Sequence, residues 1–284
     1  MQTSCSVVNG RLDATIATND RGFTLGDGVF ETLAVVAGAP RHWHTHLRRL
    51  RVGCERLGLP VPAADVLATE VRTAIARASG SRAGDGVLRI TLSRGPGGRG
   101  YALPVPTEPT RVVTFTPFPA GLPGTDAVAV RTCTLRLAIQ PRLAGIKHLG
   151  RLEQILARAE WDDDGIAEGL MYDTEGALVE ATAANVFLVQ EGTLRTPRLD
   201  RCGVAGILRS CVLAAADALE LPVEVDRLGA ADLNAAEEIF LTNSVTGMRR
   251  VTCIDGRTGW SQDYWSSRLA AKIADLETVE YRTE

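Results

Sequence analysis

The sequence predicts an α+β fold of two domains, and three observations carry that prediction. Apolar residues recur at helical spacing in two consecutive segments, 46–59 and 63–79. Strand-like alternation follows in "GVLRITLSRG" and "RVVTFTPFP". A stretch rich in proline and glycine, "FPAGLPGT", then separates this group from a second series of strand patterns that begins at "AVAVRTCTLRL". Segregated strands and helices, without strict alternation, favour α+β over a parallel α/β sheet. The division expected is an N-terminal α/β domain over 1–117, a linker over 118–125 and a larger C-terminal domain over 126–284.

Within the second domain, a helical pattern runs on from Lys147 in "LAGIKHLGRLEQILARAEW". "GLMYDTEGALVEATAANVFLVQEGTLRTP" reads as strands separated by turns at "DTEG" and "QEG". A helix is expected over 205–219, and "AEEIFLTNSVTGM" reads as a short strand ending in small polar residues.

Bulk properties narrow the function. The 284 residues are 45% hydrophobic and 23% charged, with a formal net charge of -3. That balance offers no electrostatic footprint for nucleic acid or an acidic membrane surface, which leaves small-molecule chemistry. The first residues lack a basic segment followed by an apolar one, and no apolar run approaches the roughly 20 residues a bilayer requires. Six scattered cysteines contain no C-x-x-C pair, which suits reduced thiols. A cytoplasmic enzyme is expected.

Lys147 stands among arginines just before a helical pattern. Most lysines are solvated cations. A helix start is nevertheless a poor place for a cation, which the helix dipole favours at the opposite end. An amine, unlike a guanidinium, can lose its proton and attack a carbonyl, so a desolvated Lys147 is a candidate Schiff-base nucleophile. Glu180, in "GALVEATAANVFLV", needs a cationic partner if it faces inward, and a pyridinium nitrogen is one. Three further pieces suit an anion: the amides of Ile207 and Leu208 after Gly206 at a helix start, Asn243 and Ser244 at a strand end, and Arg49. Each also has a plain reading, as a helix cap, a polar turn or a surface arginine. "HWHTH" would place His42, His44 and His46 on one face of a strand, as a metal site requires. His46 opens the helix that carries Arg49, however, and no neighbouring carboxylate or cysteine completes a set. No metal is expected.

Read in order, "DRGFTLGDGVFETL", "HLRRL", "IKHLGRLEQ", "GALVEATAANVFLV", "TPRLDRCGVAGILR" and "EEIFLTNS" resemble the fold-type IV pyridoxal-phosphate enzymes over nearly the whole chain. That family includes branched-chain and D-amino acid aminotransferases and aminodeoxychorismate lyase, and "SRGPGGRGY" with "LAGIKHLGRLEQ" is most similar to the lyase. The resemblance implies a D-amino acid aminotransferase-like fold with a pseudo-barrel in its C-terminal domain. It implies pyridoxal 5'-phosphate bonded to Lys147, with Glu180 on the pyridine nitrogen. Arg49, the backbone at Ile207 and Leu208, and Asn243 with Ser244 would hold the phosphate. Phe30 and Thr32, at alternate positions of an expected strand, would line the substrate pocket, together with Arg94, Arg99 and Tyr101.

The implied reaction is elimination of pyruvate from aminodeoxychorismate to give 4-aminobenzoate, a step of folate synthesis; an aminotransferase is the alternative. In the family the loop "GGRGY" reaches a neighbouring subunit, which implies a homodimer with the active site near its interface and Arg94 or Arg99 on a substrate carboxylate. D-amino acid transaminases usually carry tyrosine where this chain has Phe30, and histidine where it has Tyr101. Both departures count against that activity.

Overall fold

The computed structural model describes residues 4–79, 84–118 and 127–282. The chain forms two compact units, Met1–Pro123 with Ile146–Gly150, and Gly124–Gly145 with Arg151–Glu284. Of the expected linker, only Phe118 falls among the described residues.

The first unit runs β1 (Cys5–Val8), β2 (Arg11–Leu12), α1 (Arg21–Leu25), β3 (Gly28–Val36), β4 (Ala39–Pro40), α2 (Trp43–Leu57), α3 (Ala64–Ser79), β5 (Gly86–Ser93) and β6 (Thr110–Pro117). Its strands form one sheet in the order β2-β1-β6-β5-β3-β4, antiparallel at every pairing. Because side chains alternate along a strand, Val29, Leu33, Val35, Leu88, Ile90, Leu92, Val113 and Phe115 share one face. There they pack against Leu50 and Cys54 of α2 and Leu67, Val71, Ala74 and Ile75 of α3. Leu33 and Phe115 are fully buried, each worth about 1.5–3 kcal/mol of transfer free energy. The opposite face carries Phe30, Thr32, Arg89, Thr91 and Thr114, in register across β3, β5 and β6. Helix α2 starts three residues earlier than its apolar spacing predicts, because His42 adopts left-handed backbone as its cap. His44 and His46 therefore lie inside a helix, and the three imidazoles do not share a strand face.

The second unit runs β7 (Val128–Leu137), α4 (Leu152–Arg158), β8 (Ile166–Asp173), β9 (Leu178–Ala181), β10 (Asn185–Gln190), β11 (Thr193–Pro197), α5 (Ile207–Ala218), β12 (Val223–Asp226), α6 (Ala230–Ala235), β13 (Glu238–Asn243), β14 (Gly247–Ile254), β15 (Arg257–Thr258) and α7 (Tyr264–Arg282). Its strands order as β12-β11-β10-β13-β14-β7-β8-β9, with β15 on β14. Strand β9 returns beside β10 and β11, so the sheet curls on itself as a half-barrel. Both faces are covered. Phe187, Val189, Leu194 and Phe240 pack against α5 and α7, the two phenylalanine rings stacked at 5.1 Å. Val186, Leu188, Ile239 and Leu241 face the other way, with Leu170, Leu178 and Leu233 of α6. No helix among the described residues is long and apolar enough to cross a membrane.

Candidate active site

Lys147 lies in the stretch Ile146–Gly150, which belongs to the first unit. The Phe30 amide donates to the Lys147 carbonyl at 2.9 Å, the Leu149 amide donates to the Gly28 carbonyl at 2.9 Å, and His148 bridges Val29. These bonds spend the backbone groups that a helix would need. The helical pattern read from Lys147 onward is therefore realised only from Leu152, over seven residues. Extended pairing with β3 sets Lys147 Nζ 4.5 Å from the centroid of the Phe30 ring. The Arg89 guanidinium carbon lies 4.0 Å from the same centroid. Thr32 pairs in register with Arg89, so Phe30, Thr32 and Arg89 share the face on which the lysine rests. Arg89 escapes the sequence reading because it is one polar residue in an alternating strand; register alone marks it.

Arg49 lies behind that face. Its Nε donates to Glu31 Oε1 at 2.8 Å and its Nη2 to Oε2 at 2.5 Å, while His46 Nδ1 meets the same Oε2 at 2.6 Å. Glu31 and His46 are each 1% exposed. Burial raises the Glu31 carboxyl, but the Arg49 charge and the bonds from Arg49 and His46 outweigh it and hold that carboxyl below its usual range. Burial pushes the His46 imidazole down, against the pull of Glu31. At neutral pH the cluster is thus carboxylate, guanidinium and neutral imidazole. Sequence reading found no carboxylate near "HWHTH" because β3 delivers it from fifteen residues away.

In the second unit, Glu180 is buried on β9. Its Oε2 accepts the Val204 amide at 2.8 Å, and the Gln154 side-chain amide lies 3.4 Å from Oε1. The loop that supplies Val204 is held at several points. Gly145 pairs with it through bonds of 2.9 and 3.0 Å to Gly203 and Ala205, and Asn185 donates to the Val204 carbonyl at 2.8 Å. The loop then enters α5 at Gly206, whose extended backbone provides no side-chain cap for the first helical amides. A Cβ at Gly206 would come within 2.0 Å of Asn185 Oδ1, so only glycine lets the chain pass so close. Asn243 braces the turn between β13 and β14: its Nδ2 donates to the Ala183 carbonyl at 2.5 Å and its Oδ1 accepts the Val245 amide at 2.7 Å. The Thr242 and Thr246 hydroxyls flanking this turn are buried without a hydrogen-bond partner among the described residues.

These features fit the expected cofactor. An uncapped twelve-residue helix start and orphaned hydroxyls suit a phosphate, and a buried carboxylate that accepts the Val204 and Gln154 amides and lies within the field of Arg151 suits a protonated ring nitrogen.

The two arginines expected on the substrate part company. Arg94 is 3% exposed and is committed to the fold: Nε and Nη2 bind Asp27 at 2.7 and 3.1 Å, while Nη1 and Nη2 cap the Gly58 and Leu57 carbonyls at 3.0 and 2.7 Å. Its donors are thus occupied by the C-terminus of α2 and by Asp27. Arg99 and Tyr101 are exposed. Their loop is tied down by buried Arg21, which shares Asp27 at 2.9 Å and donates to the Gly100 and Ala102 carbonyls at 3.2 and 3.3 Å.

The model of the amino-transferase class IV family matches residues 28–254, and the chain belongs to that family, whose enzymes depend on pyridoxal phosphate. Among its relatives, an aminodeoxychorismate lyase of Vibrio harveyi is 34% identical over 251 residues, 87% of this chain and 90% of that one. The crystal structure of 4-amino-4-deoxychorismate lyase from Pseudomonas aeruginosa superposes with a TM-score of 0.85 at 39% identity, covering 96% of this chain and 99% of that one. A hypothetical aminotransferase from Mycobacterium tuberculosis in its pyridoxal-phosphate-bound form has a TM-score of 0.77 at 23% identity, over 96% and 99% of the two chains, a likeness of fold alone.

Proposed function

We propose that the protein is a 4-amino-4-deoxychorismate lyase, eliminating pyruvate to leave 4-aminobenzoate for folate synthesis. The observation that carries the reading is Lys147 held on the β3 edge beside Phe30, with Thr32 and Arg89 on the same face. This gives one amine, one apolar ring surface and one guanidinium, which suits a cyclic substrate bearing carboxylates. The likeness to the two lyases supports the choice of substrate.

When bound, pyridoxal phosphate supplies an electron sink for the carbon next to the substrate amine. Lys147 would hold the cofactor aldehyde and would take the proton from the amine-bearing ring carbon. It then returns a proton as the enolpyruvyl carbon-oxygen bond breaks, so the ring becomes aromatic and pyruvate departs. Glu180 keeps the proton on the ring nitrogen. The amides of Ile207 and Leu208 and the Ser244 turn braced by Asn243 would hold the phosphate, a role the resemblance also gives to Arg49. Phe30 would pack against the substrate ring and Arg89 would take a carboxylate, with Arg99 and Tyr101 of a second copy reaching it across the dimer interface.

A homodimer fits the exposed α4 side chains of Leu152, Ile155 and Leu156, at 73%, 61% and 59% exposure, which a second copy would cover. Six free thiols and a net charge of -3 suit a cytoplasmic enzyme with a small-molecule substrate and no nucleic acid or membrane partner.

The test is release of 4-aminobenzoate and pyruvate from aminodeoxychorismate. Lys147→Ala removes turnover together with the visible absorbance of bound cofactor. Efficient amino transfer between an amino acid and a keto acid, with no 4-aminobenzoate formed, would replace this reading with an aminotransferase.

A further inference from the structure

The cluster of Glu31, His46 and Arg49 contains two members that the elimination does not use. We propose that Glu31 is a positioning residue: locked by His46, it fixes the guanidinium plane of Arg49 and so presents that arginine to the cofactor phosphate in one orientation. This rests on the reading above that Arg49 meets the phosphate.

Three observations carry it. First, Glu31 grips Arg49 along one edge, Nε to Oε1 and Nη2 to Oε2, which sets the plane of the fork and turns the Nη1 edge away from the carboxylate. Second, the carboxylate itself cannot turn, because Oε2 also receives His46 Nδ1 at 2.6 Å. His46 and Arg49 sit three residues apart on one face of α2, directly over the centre of β3. Third, the cluster is a poor stabiliser. Buried ion pairs lose in desolvation much of what they gain in attraction, and apolar residues of like volume are often as stable. His46 Nε2 is in addition buried with no hydrogen-bond partner among the described residues, a cost that a purely stabilising arrangement would not carry.

Orientation and plain electrostatics predict opposite signs. The Glu31 charge partly cancels that of Arg49, so removing it should tighten phosphate binding if attraction were all that mattered. If Glu31 positions Arg49, removing it weakens binding.

Two aldehydes separate the cases: pyridoxal phosphate, and pyridoxal, which has the same ring without the phosphate. Cofactor-free protein is titrated with each and followed by visible absorbance. Arg49→Ala should lose affinity for pyridoxal phosphate and keep its affinity for pyridoxal. If it treats both alike, the phosphate reading of Arg49 fails and the positioning role fails with it. Glu31→Gln should lose about 10–100-fold in affinity for pyridoxal phosphate, by analogy with the range seen when the partners of metal-ligating side chains are removed, with pyridoxal affinity unchanged. A folded Glu31→Gln protein that binds pyridoxal phosphate as tightly as the parent, or more tightly, overturns the proposal. Should that variant not fold, His46→Leu carries the test: it should lose phosphate-dependent affinity in the same direction, while His46→Asn, which keeps a donor facing Glu31, should retain it. Equal affinity for pyridoxal phosphate in His46→Leu and the parent also overturns the proposal.

Discussion

Replacing Asp27 by asparagine should destabilise the first unit severely while leaving cofactor chemistry in place. Two buried arginines share that one carboxylate, Arg21 through Nε at 2.9 Å and Arg94 through Nε and Nη2 at 2.7 and 3.1 Å, with side chains only 5% and 3% exposed. Asparagine has the same shape but turns an amide donor toward two guanidinium groups. Breaking a buried pair by removing one partner costs about 3–5 kcal/mol, because the charge left behind is uncompensated. Asp27 is 15% exposed, which places the cost near the lower end of that range. At about 2–4 °C per kcal/mol, the melting temperature should fall by roughly 6–12 °C. Burial raises the Asp27 carboxyl, but hydrogen bonds from Arg94 and Arg21 win and hold it below its ordinary range. Its contribution is therefore present at neutral pH and lost as pH falls through the lowered value; the substituted protein lacks that acid step. Hydrogen exchange of peptides covering Gly28–Val36 and Gly86–Ser93 reads the first unit separately from the second. Protection within about 1 kcal/mol of the parent would refute the view that this carboxylate holds the two arginines.

Three further outcomes follow from the site. Arg99→Ala should raise KM at unchanged melting temperature, whereas Arg94→Ala should lower the melting temperature; steady-state kinetics and thermal unfolding, measured on both proteins, separate the two roles. Gly206→Val should cost about 1–3 kcal/mol by overpacking against Asn185 and should weaken cofactor binding, because the start of α5 must shift; a cofactor titration alongside thermal unfolding checks both. Burial holds His46 below its ordinary 6.5, so unfolding lets it take up a proton, and the stability of cofactor-free protein should fall as pH drops below about 6.5. His46→Asn should remove that part of the pH dependence in urea titrations at pH 5 and pH 7.

Local periodicity is enough to find α2, α3, β5 and the helix that enters at Gly206, because each depends on neighbours within a few residues. What it missed depends on distant partners. Lys147 reads as the start of a helix until its carbonyl is seen to be spent on Phe30 and the Leu149 amide on Gly28, more than a hundred residues upstream. Arg94 and Arg99 are indistinguishable in "SRGPGGRGY", yet the first, directly after β5, meets Asp27 and the second lies on an exposed loop. The carboxylate that completes the His46 cluster is likewise invisible near "HWHTH", since helix-on-strand packing, and not spacing, brings it in. Residue types at the site were thus legible, while their partners were set by register and packing.

Arg89 illustrates how register can turn an unremarkable strand residue into a candidate ligand. Leu88, Ile90 and Leu92 point into the helical core, which forces Arg89 to the opposite face. Its guanidinium stacks on Phe30, the ring that also meets Lys147, and no carboxylate among the described residues pairs with it. An exposed cation held over an aromatic ring beside a reactive amine, with its Nε on Thr91 Oγ1 at 3.3 Å, has further donors to offer an anion from outside the fold, and the proposed product carries one. A hydrogen bond to a charged group is worth about 1.5–3 kcal/mol, roughly 10–100-fold in affinity. Arg89→Met, which keeps the length and the contact with Phe30, should therefore weaken 4-aminobenzoate by that factor and leave aniline, which lacks the carboxylate, unaffected. Calorimetric titration of the loaded enzyme measures both ligands. Equal loss for the two would mean that Arg89 only shapes the pocket, and no loss for either would remove it from the site.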